Sequence, residues 1–329
     1  MRKGEISWFT PPVGAGVGFG YAAVKTIEAL QARAISVKYS DAEPLAFVNF
    51  VQPYLYQGLP DQYRIGYSPW ESTEVPDTWR QFTQQQDEMW TTSTFCKEIF
   101  ENYDLHDDIK IVPHGIDPEL WTVNDRYVAD RFYFLHVGGP VARKGAQRVV
   151  DAFLDLYDGQ DEVRLLLKSN GPSETRYYNS RGEFLPASKH HQIQVFEHPM
   201  DEESLVSLYH KAHCLVYPTN GEGFGLIPFQ GIATGIPTIC TDLTACTDFA
   251  SLSMPLKASW TPGVGIHLGD WAAPDVEHLR ELMALSVDDY EAVKNKALKS
   301  ARIVHNTQTW LHIGDQILDI LGDKIYEKV

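Results

Sequence analysis

Residues 219–242, TNGEGFGLIPFQGIATGIPTICTD, decide how this chain is read. The apolar run HCLVYP (213–218) leads into them as a buried strand, and polar and glycine residues follow. The pattern predicts a helix from about Glu222 to Thr234, then a Gly-Ile-Pro turn and another short apolar strand. Such a helix opens at a Gly-rich corner that carries one carboxylate, Glu222. Free N–H groups at a helix start, reinforced by the macrodipole, attract an anion such as phosphate. Gln230 follows at a distance which, at ~100° per residue, places it about 80° around the axis and roughly 12 Å along it. One helix face then offers two polar groups beside a phosphate-friendly N-terminus. That suits an extended ligand with a sugar, a diphosphate and a ribose; an ordinary polar helix cap is the plain alternative.

The same sequence of elements recurs upstream. RFYFLHVGGPVARKGAQRVVDAFLDL (131–156) reads as strand, glycine turn and helix, with Arg143 and Lys144 in the loop before the helix. Two cations beside N–H donors would neutralise a diphosphate, although a solvated basic pair reads equally well. At the start of the chain, EISWFT (5–10) is a strand, PPVGAGVGFG (11–20) a glycine-rich turn, and YAAVKTIEALQA (21–32) a helix. Together these predict α/β architecture with doubly wound sheets. Gly14, Gly16 and Gly18 form either a phosphate cradle or a tight turn, and the strict GxGxxG fingerprint fails. Asp41, near the end of the next strand, stands where a dinucleotide-binding domain holds a ribose-binding acid. It keeps a nicotinamide oxidoreductase open as a rival.

Between these units, RIGYSPWE (64–71) reads as a strand ending in a polar loop that holds Glu71. DEMWTTS (87–93) is a short strand with Ser93 and Thr94 placed to cap the next helix. IKIVPHGID (109–117) is a strand ending in a turn, where His114 either meets a ligand or serves the structure. VRLLLK (163–168) and IQVFEH (193–198) are strands, and 170–192 a polar connection. WAAPDVEHLRELMAL (271–285) and DDYEAVKNKALKSARIV (288–304) read as amphipathic helices, and TQTWLHIGDQILDILGDKI (307–325) as a final one. The aromatic residues of 50–90, among them Tyr67 and Trp70, either stack on an acceptor or fill the core.

The 329 residues suggest about two domains. With 28 basic against 44 acidic residues the net charge is −16, which argues against a broad nucleic-acid or anionic-membrane surface. No run approaches the ~20 apolar residues of a membrane span, and the first residues show no signal-peptide core. Cys96, Cys214, Cys240 and Cys246 lack metal-site spacing and read as reduced thiols of a cytoplasmic protein.

Several motifs now stand in one order: IGYSPWE with DEMWTTSTF, VPHGID, the RKG loop, and GEGFGLIPFQGIATGIP, followed by the WLHIGDQIL helix. Together they closely resemble the retaining glycosyltransferases of family 4, including compact members from phages and polysaccharide gene clusters. The resemblance implies the GT-B fold: two Rossmann-like domains facing across a cleft. Residues 1–125 would form the acceptor-side domain, 126–306 the nucleotide-sugar domain, and 307–329 a helix crossing back to the first. It implies a UDP- or GDP-sugar donor and an acceptor that is a glycan, a protein or a hydroxymethylated DNA base. No metal and no cofactor beyond the donor are expected, and no DxD pair is present.

Residue by residue, the resemblance makes Glu222 the contact to donor-sugar hydroxyls. The backbone of Gly223, Phe224, Gly225 and Leu226 would lie along the sugar and diphosphate, with Lys144 on the diphosphate. Gly14, Gly16 and Gly18 match the N-terminal glycine loop, and His114 joins the donor side. Tyr67, Trp70 and Glu71 are acceptor-side candidates. The sequence departs from the family pattern twice. Gln230 replaces the second Glu of the Glu-seven-residues-Glu motif, and Gly139 replaces the usual Arg after the strand glycine. Arg143 is the candidate to compensate for the latter. A GT-B protein that binds without catalysis is the remaining alternative.

Overall fold

The computed structural model describes residues 5–10, 18–39, 45–58, 61–126 and 130–325. Gly14, Gly16 and Asp41 lie outside them. The first unit runs β1 (Glu5–Phe9), α1 (Gly18–Ala32), β2 (Ser36–Tyr39), β3 (Ala46–Phe50), β4 (Tyr63–Tyr67), α2 (Arg80–Thr83), β5 (Glu88–Thr91), α3 (Thr94–Asn102) and β6 (Ile109–Ile111). Its strands form one sheet in the order β2-β1-β3-β4-β5-β6, parallel throughout. The central strand β3, AFVNF, is buried throughout and apolar but for Asn49, as expected where a parallel sheet is covered on both faces. Ser93 caps α3 as its spacing predicts, accepting from the Cys96 N–H at 3.2 Å.

The second unit runs β7 (Phe132–Val137), α4 (Ala146–Tyr157), β8 (Val163–Lys168), β9 (Arg176–Tyr178), β10 (Phe184–Pro186), β11 (Ile193–Phe196), α5 (Glu202–Lys211), β12 (Cys214–Tyr217), α6 (Leu226–Ala233), β13 (Thr238–Thr241), β14 (Met254–Leu256), β15 (Ala258–Pro262), β16 (Asp270–Pro274), α7 (Val276–Asp288) and α8 (Tyr290–Thr307). The main sheet is again parallel, in the order β11-β8-β7-β12-β13-β14. The strand order reverses between β7 and β12. In such sheets a ligand binds outside the carboxyl ends of the strands at this switch point. The loops leaving β7 and β12 are the RKG and GEGFG stretches.

The final helix α9 (Trp310–Leu321) lies on the first unit, as the resemblance implies. Its Trp310, Ile313, Ile317 and Leu321 join Ile27 and Leu30 of α1 in one buried cluster, and Asp315 pairs with Arg33 at 2.5 Å. Thr309 caps α9 in a capping box with His312.

Two expectations change here. Residues 271–274 belong to a β15–β16 hairpin and not to the start of a helix; Pro274 ends the strand, and Asp275 caps α7 by accepting from His278 N–H at 3.0 Å. The polar connection 170–192 likewise contains a small antiparallel hairpin, β9–β10.

Candidate active site at the switch point

The helix after β12 begins at Leu226, four residues later than the pattern predicts. Gly225 sits at φ 95°, a left-handed conformation that interrupts any helix entering from Glu222. Glu222 therefore belongs to the loop, and it does not share a helix face with Gln230. Its N–H donates to Thr244 Oγ1 at 3.2 Å. Gln230 is buried within α6.

Glu222 is 7% exposed, and its Oε1 is the focus of the site. Lys144 Nζ donates to it at 2.6 Å, Tyr217 OH at 2.8 Å and Thr219 Oγ1 at 3.0 Å, while Arg143 Nη1 lies 3.5 Å away. Burial opposes ionisation of this carboxyl, but Lys144 and Arg143 outweigh it and hold the group below the usual carboxylate range. Burial, and the Glu222 charge with it, pushes the Tyr217 phenol well up, so it stays a donor. The RKG loop is fixed from the backbone as well: Asn220 N–H donates to Arg143 O at 2.8 Å. Arg148 of α4 donates to Asn220 Oδ1 at 2.9 Å.

The first unit closes directly over this loop. A Cβ at Gly221 would stand 2.2 Å from the Glu71 carbonyl oxygen, and one at Gly223 would stand 2.4 Å from Pro69 Cβ, so only glycine permits the approach. Arg143 spans the two units, its Nη2 3.3 Å from Glu71 Oε1. Thr92 Oγ1 donates to Gly223 O. The β15–β16 hairpin reaches over from the other side, with Thr73 N–H on Asp270 O at 2.9 Å and Asp270 N–H on Thr73 Oγ1 at 2.7 Å.

The structure thus gathers Glu222, Lys144, Arg143, Gly223 and Glu71 in one place. Glu71 joins the charge cluster itself. The Phe224 ring packs on Phe229 and Phe249, with centroids at 5.2 and 5.8 Å, and Leu226 touches the cores of both units. Gly139 follows β7 with open space where a side chain would stand. Gly18 is the first residue of α1 and not part of a loop. His114 lies between Phe224 and Trp310, at 4.9 and 5.7 Å, and burial pushes it down to about 3. It is therefore a neutral ring at neutral pH and supplies no charge to a diphosphate.

Tyr67 and Trp70 are corrected to core residues. Tyr67 is 1% exposed and donates to Val112 O at 2.6 Å; Trp70 is 2% exposed, packs on Trp79 at 4.7 Å and donates to Glu74 O at 2.7 Å. Neither ring has a face left for an acceptor.

Sequence reading missed Tyr217, Thr219, His136 and His267. Tyr217 and Thr219 flank the motif and carry hydroxyls, which was a usable signal. His136, next to last in β7, donates from Nδ1 to Val216 O at 2.8 Å and stacks on Tyr217. Burial, and Lys144 beside it, lower it to about 4. An open groove of about 790 Å³ lined by Arg131, Tyr133, Glu162 and His210 lies at the opposite, N-terminal ends of the β7 and β8 strands, away from the switch point. All four cysteines are free and buried. Among the described residues no helix is long and apolar enough to cross a membrane.

Comparison with known proteins agrees with this fold. The chain is 27% identical over 119 residues to the capsular polysaccharide biosynthesis glycosyltransferase CapM of Staphylococcus aureus, a match covering 36% of this chain and 30% of that protein. It is 26% identical over 172 residues to the D-inositol 3-phosphate glycosyltransferase of Acidothermus cellulolyticus, covering 47% of this chain and 38% of that one. The chain therefore spans about a third of the length of these curated relatives. Among solved structures, a sucrose-phosphate synthase from Thermosynechococcus elongatus superposes with a TM-score of 0.71 at 15% identity, covering 97% of this chain and 98% of the other. HepE of Anabaena, in complex with UDP-glucose, gives 0.71 at 11% identity, covering 97% and 100%. These likenesses show the GT-B fold. The family described as "Family 4 Glycosyltransferase in conflict systems" matches residues 105–317, which include both loops of the site, and the chain belongs to that family.

Proposed function

We propose that the chain transfers a sugar from a nucleoside diphosphate sugar, with UDP- and GDP-sugars first, to an acceptor hydroxyl with retention at the anomeric carbon. The observation that carries this reading is the convergence of Lys144 and Arg143 on Glu222 at the switch point. Two fixed cations in a largely dry site stabilise the charge that develops on a departing diphosphate. A buried carboxylate held ionised accepts hydrogen bonds from sugar hydroxyls. HepE in complex with UDP-glucose supports a nucleotide sugar as donor.

In the retaining reaction proposed here, the acceptor oxygen bonds to the anomeric carbon as the bond to the diphosphate breaks on the same face. The acceptor proton passes to a leaving phosphate oxygen. Lys144 and Arg143 carry the role that a divalent ion fills in other sugar transferases, and no protein nucleophile is assigned. The acceptor class is a glycan, a protein or a hydroxymethylated DNA base; the net charge of −16 weighs against the last.

The test is incubation with labelled UDP-, GDP- and ADP-sugars and a panel of glycan, protein and modified-DNA acceptors. The reading predicts transfer or donor hydrolysis, with the donor's anomeric configuration kept in the product. An inverted product overturns retention. Turnover of none of the donors overturns the transferase reading in favour of a binding protein.

A further inference from the structure

A line of charged groups leaves the donor loop and ends at the hairpin tip. Glu222 Oε1 is 3.5 Å from Arg143 Nη1, Arg143 Nη2 is 3.3 Å from Glu71 Oε1, and Glu71 Oε2 is 4.0 Å from His267 Nδ1. Each step passes to a different part of the chain: the GEGFG loop, the RKG loop, the loop after β4, and the turn between β15 and β16. The His267 ring is wedged between Trp70 and Trp271, with centroids at 5.8 and 5.6 Å. The backbone N–H of His267 donates to Val264 O at 3.3 Å, and the Thr73–Asp270 bonds hold the hairpin in place. His267 Nδ1 is buried yet makes no hydrogen bond. A buried polar atom without a partner is costly and calls for an explanation.

Arg143 is shared here between two carboxylates, and Lys144 is held by Glu222. A diphosphate competes for both cations. When it draws Arg143 away, Glu71 loses its cation and faces His267. We propose that His267 is a positioning residue that binds a proton when a diphosphate occupies Arg143 and Lys144, turning the Glu71···His267 contact into an imidazolium–carboxylate pair. That pair draws the loop after β4 against the hairpin and so couples the first unit to donor occupancy. The inference rests on the donor-site reading given above.

The charges that face His267 set the direction. Burial lowers its proton affinity, Glu71 raises it, Arg143 and Lys144 lower it, and Glu222 raises it; the balance in this structure lies below the ordinary histidine value. A phosphate dianion neutralises the two opposing cations and adds negative charge, so the ring's proton affinity rises. Linkage then requires proton uptake on binding, and tighter binding at lower pH across the window between the two proton affinities.

The experiment is calorimetric titration of UDP, GDP and ADP at about pH 6.5, near the ordinary imidazole value, in buffers of different ionisation heat. The wild type is expected to take up as much as about one proton more per nucleotide than His267→Gln. The nucleotide's own phosphate protons are common to both and cancel in the difference. Glu71→Gln keeps the imidazole and should lose most of the same excess, which serves if His267→Gln fails to fold. A purely structural role for His267 would weaken binding without changing proton uptake. Equal uptake in the wild type and the folded variants overturns the proposal. A wild type that binds none of the nucleotides overturns the donor-site reading as well, so the two failures are distinguishable.

Discussion

Replacing Lys144 by methionine removes one cation while keeping most of the side-chain stem. In the wild type, Nζ lies 2.6 Å from Glu222 Oε1, with the two side chains 15% and 10% exposed. At that separation, with an effective dielectric of about 20, the attraction is about 6 kcal/mol before desolvation is counted. Removing one member of such a buried pair costs ~3–5 kcal/mol of stability, because the remaining charge stays buried. Arg143, still 3.5 Å from Glu222, holds the loss toward the lower end. In turnover, loss of one preorganised contact to developing phosphate charge costs ~3–4 kcal/mol, a hundred- to thousandfold decrease. The two effects separate in the double variant Lys144→Met/Glu222→Gln. Its unfolding midpoint should recover much of the loss, since no unpaired charge remains, while its turnover stays low. The assay is steady-state transfer or donor hydrolysis beside denaturant unfolding. Turnover of Lys144→Met within about tenfold of wild type, with the fold intact, would refute the role assigned to the lysine.

Two further outcomes follow from the same geometry. Glu222 is held below the usual carboxylate range, so its contribution to stability is present above the unfolded value of about 4.3 and is lost as pH falls through the lower folded value. Glu222→Gln should be less stable than wild type at neutral pH, and thermal unfolding should show the gap narrowing on acidification below about pH 4; a gap independent of pH would mean that Glu222 is not ionised. Gly139 has open space at its Cβ position, so Gly139→Arg introduces a side chain there with no clash at Cβ and adds the cation that the sequence resemblance leads one to expect. Nucleoside diphosphate binding should tighten about tenfold or more, the worth of one charge-assisted hydrogen bond, and calorimetry showing no change would mean that Arg143 already fills that role.

Most of the fold is legible because its strands, glycine corners and helices obey local rules. HCLVYP and RFYFLHV are apolar runs that end at glycine-bearing loops, and both became adjacent strands of a parallel sheet. Ser93 and the WLHIGDQIL helix likewise stand where their patterns put them. The β15–β16 hairpin is hidden because WAAPDVEHL reads as continuous helix; Pro274 followed by Asp275, a stop and a cap, is the signal that marks the boundary. The start of α6 departs from the pattern for a related reason. A glycine at positive φ breaks a helix, but its φ is not visible in the one-dimensional pattern.

The site divided in the same way. Glu222, Arg143 and Lys144 carry charge in glycine-rich loops and were readable. Aromatic residues such as Tyr67 and Trp70 fit either a core or a surface, and burial decided for the core. His267 could not be found from the sequence, because its partner Glu71 is brought to it only when the hairpin of one unit reaches the loop of the other.

The central claim is that Lys144 and Arg143 form a diphosphate site at the β7–β12 switch point. Thermal unfolding with UDP, GDP, ADP and NAD, on the wild type and Lys144→Met, tests it most directly. A bound ligand at ~100 times its dissociation constant adds roughly 2.7 kcal/mol. At least one nucleoside diphosphate should raise the wild-type midpoint and leave that of Lys144→Met nearly unmoved. A shift with NAD alone, or equal diphosphate shifts in both proteins, would contradict it.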